Sequence, residues 1–329
     1  MTGRNLNYTK LASVLAVAFV LVTNAASGQA QTATWPSKPV RIVVGFPGGS
    51  TPDAAARTLA EGLSKALGQP VIVENKAGAS GNIAADFVAK ATDDHTLGVV
   101  INGNLTTAKL LSAQLPYDPV RDFSYLSLLT TAPLVLVGAA SVPDGAAFFA
   151  TASKSGDQWS YGSVGNGSVG HLGMELLKSK LKGFSPVHIP FQGNPAVMTA
   201  LLGGQIQIAL VPPGLAMPQV TSGKLKAIGV TSAKSALVPE VAPLADVGVS
   251  DFNLEVWTAL VGPAKLSAPA QERLNREIPL ILNHVETRQR LMSQGWQAVG
   301  STPDVLRSRV RDETATMSGL IKTAGIKVD

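Results

Sequence analysis

The stretch Val40-Arg-Ile-Val-Val-Gly-Phe-Pro-Gly-Gly-Ser-Thr-Pro-Asp-Ala-Ala-Ala-Arg57 decides the fold, because it predicts a strand, a glycine turn and a helix start in one segment. Its first five residues are mostly β-branched, which is typical of a buried strand. Thr51 is the predicted N-cap, Pro52 the first helical residue and Gly68 the C-cap. Leucines at positions 59, 63 and 67 recur at helical spacing, so they predict one apolar helix face.

The turn before that helix contains glycines, whose N–H groups can point at an anion together with the helix dipole. The alternative is a tight turn that binds nothing. Asp53 is the only carboxylate of this opening segment, and it either caps free N–H groups or pairs with a ligand ammonium. The candidate binding residues of the turn are Pro47, Gly48, Gly49, Ser50 and Thr51.

A second glycine loop, Gly165-Asn-Gly-Ser-Val-Gly170, lies between a predicted strand and a predicted helix and has the spacing of a dinucleotide-binding turn. Such a turn also requires an acidic residue about 20 positions later, which holds the ribose. No Asp or Glu occurs between Glu175 and Glu240, so the dinucleotide interpretation fails. A small anion held by backbone N–H groups, Ser168 and Ser163 remains, and two such loops favour an anion site.

Ser168 and His171 are close enough on a helix to be weighed as a nucleophilic pair. Nothing in the sequence orients the imidazole, however, and no G-x-S-x-G elbow surrounds Ser163 or Ser168. A histidine that donates to the ligand or to a loop carbonyl is the favoured interpretation. The other three histidines are scattered and the chain has no cysteine, so we predict no metal site and no cofactor.

The first 30 residues have the pattern of a secretory signal peptide. Arg4 and Lys10 precede an apolar run from Leu11 to Val22, and small residues follow up to Ala30. The run is too short for a comfortable membrane span. We therefore predict a periplasmic protein cleaved near Ala30, with an uncleaved anchor as the alternative. Removing the segment lowers the formal charge from 27 − 22 = +5 to 25 − 22 = +3, which is too mild for a nucleic-acid partner.

Short apolar strands alternate with helices along the rest of the chain, which predicts an α/β fold with doubly wound, mostly parallel sheets. Ligands of such sheets bind beyond the carboxyl ends of the strands, so Asn102–Asn104 could share a crevice with the opening turn. The chain is predicted to cross into a second domain near Thr130–Pro133 and to return near Ser250–Asn253. The predicted division is 1–30 as signal peptide, 31–130 with 253–329 as lobe 1, and 131–252 as lobe 2.

Several motifs occur in a characteristic order along the mature chain. They are Phe46-Pro-Gly-Gly-Ser-Thr51, Gly78-Ala-Ser-Gly-Asn-Ile-Ala-Ala-Asp86, Leu115-Pro-Tyr-Asp-Pro-Val-Arg-Asp-Phe123, Tyr161-Gly-Ser-Val-Gly-Asn-Gly-Ser168 and Val299-Gly-Ser-Thr-Pro-Asp304. Together they resemble the Bug/TctC family, the exported solute-binding receptors of tripartite tricarboxylate transport. The resemblance covers nearly the whole mature chain.

The resemblance implies a type II-like periplasmic binding protein, in which two α/β lobes close like a Venus flytrap on a small carboxylate without catalysis. In the family, one carboxylate is gripped by the opening turn and by the second glycine loop. The implied second-loop residues are Ser163, Gly165, Asn166, Gly167, Ser168 and His171. The implied remaining lining is Asn102, Asn104, Phe191 and Gln192.

Two departures from the family pattern bear on the ligand. The usual Phe-Pro-Pro-Gly-Gly-Ser-Thr-Asp is here Phe46-Pro-Gly-Gly-Ser-Thr-Pro-Asp53, so the proline has moved and the set of N–H donors changes with it. The common Phe-Asp-Asn is replaced by Leu210-Val-Pro212, which removes an acid that could meet an ammonium. This second change favours a plain carboxylic acid over an amino acid.

The prediction is therefore a monomeric periplasmic receptor that captures a small carboxylate by lobe closure and delivers it to an inner-membrane permease of the tripartite type. Two alternatives stay open. The first is an exported α/β hydrolase or transferase that uses Ser168 and His171. The second is a sensory binding protein that acts without a permease.

Overall fold

A computed structural model describes residues 35–143, 145–323 and 326. The predicted signal peptide lies outside these residues, as does the Asp144 predicted to cap a helix. From Trp35 onward the chain forms one compact unit. Within the described part, no helix combines the length and the apolar character needed to cross a membrane.

The opening segment folds nearly as its sequence predicts. Strand β1 is Val40–Val44 and helix α1 is Thr51–Leu67. The N-cap is Ser50 rather than Thr51, so Pro52 is the second helical residue. Gly68 ends the helix in the left-handed conformation, with φ of 68°, which glycine adopts at little cost.

Within residues 35–143, 145–323 and 326, eleven strands form two sheets, and each sheet takes strands from distant parts of the chain. The strands of the six-stranded sheet are β1, β2 (Val71–Asn75), β3 (Thr96–Ile101), β4 (Phe123–Pro133), β10 (Glu255–Pro263) and β11 (Gln297–Ala298), in the order β11-β4-β10-β3-β1-β2. The strands of the five-stranded sheet are β5 (Val135–Ala139), β6 (Ser160–Ser163), β7 (Val187–Pro190), β8 (Ile208–Val211) and β9 (Leu225–Val230), in the order β7-β6-β8-β5-β9.

The predicted α/β fold is confirmed, but the sheets are mixed rather than mostly parallel. In the six-stranded sheet, β1 pairs in parallel with β2 and β3, whereas β10 is antiparallel to β3 and β4. In the five-stranded sheet, β5 is antiparallel to β8 and β9. The reason is the chain crossing: β4 and β5 form one nearly continuous run through Leu134, and β10 returns beside them. β5 enters the five-stranded sheet directly from β4, without the crossover connection that parallel neighbours require.

Helices cover both faces of both sheets, because alternate strand residues are buried on opposite sides. In β1, Ile42 packs in the cluster around Leu59 and Leu274, whereas Val43 packs in the cluster around Val88 and Val310. The remaining helices are α2 (Asn82–Ala89), α3 (Asn102–Leu105), α4 (Ala108–Leu111), α5 (Gly145–Ser155), α6 (Val169–Lys180), α7 (Asn194–Leu202), α8 (Pro213–Thr221), α9 (Ala268–Asn283), α10 (Val285–Ser293) and α11 (Pro303–Thr323).

Helix α11 packs against both sheets. Leu306 and Val310 lie in a core cluster of the six-stranded sheet, whereas Met317 and Ile321 lie in a core cluster of the five-stranded sheet. A helix of 21 residues is long enough to do so, since it extends about 30 Å. The C-terminal part of the chain therefore belongs to the cores of both sheets.

Candidate functional site

Two neighbouring cavities lie between the two sheets. The large cavity has a volume of about 540 Å³ and the small cavity about 240 Å³. Both are lined by Ala79, Ser80 and Asn166, so the two cavities meet at these residues. Together they fall within the usual size of small-molecule sites.

The loop Gly78–Gly81 forms the wall that the two cavities share on the side of the six-stranded sheet. Ala79 and Ser80 have φ of 47° and 56°, a left-handed conformation that costs a non-glycine residue about 1–2 kcal/mol. Asn104 holds the loop, because its Nδ2 donates to the carbonyl of Ser80 at 3.0 Å and to Asn82 Oδ1 at 2.8 Å. Backbone strain held by surrounding hydrogen bonds in this way is typical of a functional site.

The second glycine loop faces Gly78–Gly81 from the five-stranded sheet. Gly165 has φ of 120°, and a Cβ built there would lie 2.1 Å from Ser80 Oγ, so no larger residue fits this contact. Ser168 is the N-cap of α6 and accepts from the backbone N–H of His171. Across the cleft, Thr107 Oγ1 donates to the carbonyl of Gly167 at 2.7 Å.

Three N–H groups of this second loop have partners inside the protein, so the loop offers fewer free donors than the predicted bare backbone cradle. The Gly165 N–H donates to Ser163 Oγ, the Gly167 N–H to His171 Nδ1 and the Ser168 N–H to the Gly165 carbonyl. The reason is local: serine and histidine side chains within the loop reach its own donors. Side chains and helix ends, rather than loop amides, therefore carry the polarity of the cavities.

Two helix N-termini meet at the cavities. Gly81 and Asn82 at the start of α2 line them on one side, and Ser168 and His171 at the start of α6 line the large cavity on the other. The first N–H groups of a helix have no intrahelical acceptor, and the helix dipole favours negative charge there. Among the described residues that line the cavities there is no lysine or arginine, and Glu175 is the only carboxylate.

The opening turn is closed on itself by Asp53. The carboxylate is buried and accepts from the N–H of Gly49 at 2.9 Å, from Arg57 Nε at 2.9 Å and from Asn75 Nδ2 at 2.8 Å. Burial raises its pKa, but the hydrogen bonds from Arg57, Asn75 and Gly49 outweigh burial and hold the pKa below its usual value. In this structure Asp53 caps N–H groups, which favours the capping role over the pairing with a ligand ammonium.

The other residues of the opening turn do not line either cavity, although they do face the five-stranded sheet. Asn194 Nδ2 at the start of α7 donates to Thr51 Oγ1 at 3.1 Å, and the backbone of Gly193 lies against the Pro47 ring. The N–H of Ser50 donates to the Pro47 carbonyl at 3.1 Å. This turn makes interlobe contacts instead of forming a cavity wall.

The side chains of Asn102 and Ser163 do not line the cavities either, because both make hydrogen bonds inside the protein. Asn102 is fully buried, and its Nδ2 donates to Glu313 Oε1 at 2.8 Å. Burial raises the pKa of Glu313, which also accepts from Trp257 Nε1 at 2.6 Å. Ser163 Oγ lies 2.7 Å from His188 Nε2. Both predicted binding residues thus hold structural networks behind the cavity walls.

A stack of three rings lies behind the second loop. The rings of His171 and His188 are 4.2 Å apart, and those of His188 and Tyr161 are 4.8 Å apart. Burial, and secondarily the neighbouring His171, lower the pKa of His188 to about 4. Burial also lowers the pKa of His171, so both rings are neutral at neutral pH. A neutral ring is required, since His171 Nδ1 accepts the Gly167 N–H.

The structure brings half of the predicted site residues to the cavities. Those that line them are Asn104, Gly165, Asn166, Gly167, Ser168, His171, Phe191 and Gln192. Those that do not are Pro47, Gly48, Gly49, Ser50, Thr51, Asp53, Asn102 and Ser163. Lining residues absent from the prediction include Ala79, Ser80, Asn82, Thr107 and Glu175. The signal for the first three was a third glycine turn before a helix, Gly78-Ala-Ser-Gly81.

In the described ranges, no group of three His, Cys, Asp or Glu could hold a metal ion.

The two-lobe fold with cavities between the sheets is that of a solute-binding protein. The chain belongs to the tripartite tricarboxylate transporter receptor family, whose model matches residues 55–326. It is similar to protein BugT of Bordetella pertussis, with 29% identity over 328 residues that cover 98% of this chain and 100% of BugT.

Two similar solved structures contain a carboxylate. A protein of R. palustris with adipate has a TM-score of 0.86 at 28% identity and covers 89% of this chain and 99% of its own. MatC of Rhodopseudomonas palustris with bound malate has a TM-score of 0.82 at 30% identity and covers 87% of this chain and 100% of its own. The family and this fold establish the chain as a solute-binding receptor.

Proposed function

We propose that this receptor binds a small carboxylate in the joined cavities between its lobes and delivers it to an inner-membrane permease, without catalysing a reaction. The observation that carries the proposal is the meeting of two helix N-termini, of α2 and α6, at cavities with no lysine or arginine in their described lining. Helix N-termini and neutral donors bind anions without a formal counter-charge. The similar structures with adipate and malate support this ligand class.

We further propose that the lobes are 31–130 with 253–329 and 131–252, and that they close over the ligand. Contacts between the sheets support closure, since Thr107 donates to Gly167 and Asn194 donates to Thr51 across the cleft. A hydrogen bond made only in the closed form adds to the stability of the ligand-bound state. The receptor acts as a monomer in this scheme.

The geometry of Ser168 and His171 supports a receptor over a hydrolase. Ser168 Oγ donates to the Gly165 carbonyl at 2.8 Å and accepts from the backbone N–H of His171, while the imidazole accepts from Gly167. A catalytic serine needs a base within hydrogen-bond reach of its own hydroxyl. Here the hydroxyl and the ring serve different backbone groups.

A thermal-shift screen of mono-, di- and tricarboxylates tests the proposal. A ligand that binds only the native state raises the melting temperature, by an amount equivalent to about 2.7 kcal/mol at a hundredfold excess over Kd. Members of at least one carboxylate class should raise it, and neutral amides of equal length should not. A screen in which no carboxylate shifts the melting temperature contradicts the proposal.

Replacing Ser168 with alanine separates a receptor from an enzyme. The variant loses the N-cap of α6, so it should lose about 1 kcal/mol of stability and bind carboxylate several-fold more weakly. Ser179→Ala on the same helix is the control, because that exposed hydroxyl contacts only the Leu176 carbonyl. Turnover of an ester or amide by the wild type that disappears in Ser168→Ala would instead establish the hydrolase alternative.

A further inference from the structure

One face of helix α6 runs along the large cavity. Ser168, His171 and Glu175 are spaced at i, i+3 and i+7, and all three line this cavity. Residues at this spacing share one side of a helix. A ligand in the large cavity therefore has the N-terminus of α6 at one end and Glu175 about two helical turns away.

The two ends of this face differ in polarity. The N-terminus of α6 favours negative charge, and no acidic residue occurs in its first turn. Glu175 has the opposite preference. Burial raises its pKa, but hydrogen bonds from Lys178 and Tyr161 outweigh burial and hold the pKa below its usual value, so the group is a carboxylate at neutral pH.

Glu175 lines the cavity, and both of its hydrogen bonds from described residues are made to one oxygen. Tyr161 OH donates to Oε1 at 2.6 Å, and Lys178 Nζ donates to the same oxygen at 2.8 Å. Among the described residues, Oε2 accepts no hydrogen bond, and Lys178 is not part of the cavity lining. In the described part of its lining, the cavity therefore has a carboxylate at this end and no lysine or arginine that could bind a second ligand carboxylate.

The distance between the two ends sets the ligand length. Seven residues of α helix rise about 10 Å, and long side chains lean toward the helix N-terminus, which shortens the reach to about 5–8 Å. This span suits a chain of about four to six carbons between the polar groups. The inference rests on the proposed function, because it assumes that a carboxylate anchors at the start of α6.

We propose that Glu175 makes this receptor selective for a carboxylate with an ammonium group at the far end of its chain, an ω-amino acid, over the dicarboxylate of equal length. This ligand class differs from the plain carboxylic acid that the loss of an acid at Leu210-Val-Pro212 favours, because Glu175 supplies an acidic group from another element. It also differs from the adipate and malate of the similar structures, in which both ends are acidic.

Isothermal titration calorimetry of the mature chain with 5-aminopentanoate, glutarate and pentanoate tests the inference. In the wild type, 5-aminopentanoate should bind about tenfold or more tightly than glutarate, since a like charge beside Glu175 opposes binding. In Glu175→Gln this ratio should fall to about threefold or less, through weaker binding of the amino acid and tighter binding of glutarate.

Tyr161→Phe is the matched control, because it removes a hydrogen bond to the same Glu175 oxygen and leaves the charge in place. It should keep the wild-type ratio, and its melting temperature shows what the lost hydrogen bond costs in stability.

The inference is overturned if the wild-type protein binds glutarate as tightly as 5-aminopentanoate, even if the variants do not fold. It is also overturned if folded Glu175→Gln keeps the wild-type ratio of the two affinities. If pentanoate and glutarate bind but the amino acid does not, the inference fails and the proposed function stands. If none of the three binds and the carboxylate screen is also negative, both fail.

Discussion

Two glycine turns of the six-stranded sheet connect a strand to a helix, and they have opposite roles. The turn Pro47–Ser50 leads into α1, and its Gly49 N–H is taken by Asp53 in the first turn of that helix. The turn Gly78–Gly81 leads into α2, which has no acidic residue in its first turn, and it forms the wall shared by both cavities. An acid at the start of a helix fills the anion site that the helix would otherwise offer. We therefore expect the ligand's carboxylate at the start of α2, the helix that lacks an acid there.

The largest expected effect comes from removing that acid. Asp53→Ala leaves the Gly49 N–H and the Asn75 amide without their acceptor and removes the ion pair with Arg57, so it should lower the free energy of unfolding by about 3 kcal/mol. Carboxylate affinity of the folded variant should change less than about threefold, since Asp53 does not line the cavities. Urea denaturation and calorimetry measure the two quantities.

The control for Asp53 is Asp304→Ala, which breaks an exposed ion pair with Arg307 in the first turn of α11. Exposed pairs contribute little, so its stability should stay within about 0.5 kcal/mol of the wild type. If carboxylate affinity in folded Asp53→Ala falls by clearly more than about threefold, the contrast between the two turns is contradicted.

The second-largest expected effect is on the pH dependence of stability, and it depends on His188, which lies behind the second glycine loop. Because the pKa of His188 is lowered to about 4 in the folded protein, the unfolded chain, with its histidine pKa near 6.5, takes up the proton first as the pH falls. The stability that depends on neutral His188 is therefore complete above pH about 6.5 and is lost as the pH falls toward about 4.

Replacing His188 with glutamine should flatten this part of the stability curve. We expect the drop in unfolding free energy between pH 6.5 and 4 to shrink by about 2 kcal/mol, which melting temperatures across this range can measure. His284→Gln, at an exposed ring, should leave the slope as it is. If unfolding free energy depends on pH equally in the wild type and in His188→Gln, then burial in the ring stack does not lower the pKa of His188, and the prediction is wrong.

The smallest effect separates backbone strain from ligand contact in Gly78–Gly81. Ser80→Gly should keep the free energy of unfolding within about 1 kcal/mol, because relief of the left-handed conformation offsets the added freedom of the unfolded chain. Carboxylate affinity should fall about five- to tenfold, the value of one hydrogen bond. Ala79→Gly changes the backbone in the same way without removing a hydroxyl, so its affinity should remain that of the wild type.

The fold could be predicted from the sequence where local signals determine it. The apolar strand Val40–Val44, the leucine spacing of α1 and the Gly68 cap act within a few residues, and the structure has all three. The antiparallel placement of β5 and β10 could not be predicted in this way, because it depends on how the chain crosses between sheets. A periodicity of two identifies a strand but not its neighbour.

The candidate site could be predicted only in part. Asn166 and Gln192 line the cavities as the family resemblance implies. For Asp53 the sequence left capping and ligand binding open as alternatives. Asn102 hydrogen bonds instead to Glu313, which is 211 residues distant in sequence. Such long-range hydrogen bonds decide which polar groups remain for a ligand.

Helix α11 changes what kind of motion the receptor can make. The chain already passes between the sheets at Leu134 and at Leu254, and Thr231 ties these two passages together by accepting the Leu134 N–H and donating to the Leu254 carbonyl. Because its two ends pack on different cores, helix α11 is a third connection between the sheets, beside these two crossings. A helix has a fixed length, so it opposes twisting and separation of the two sheets. We therefore expect the lobes to rotate through a small angle about a single axis.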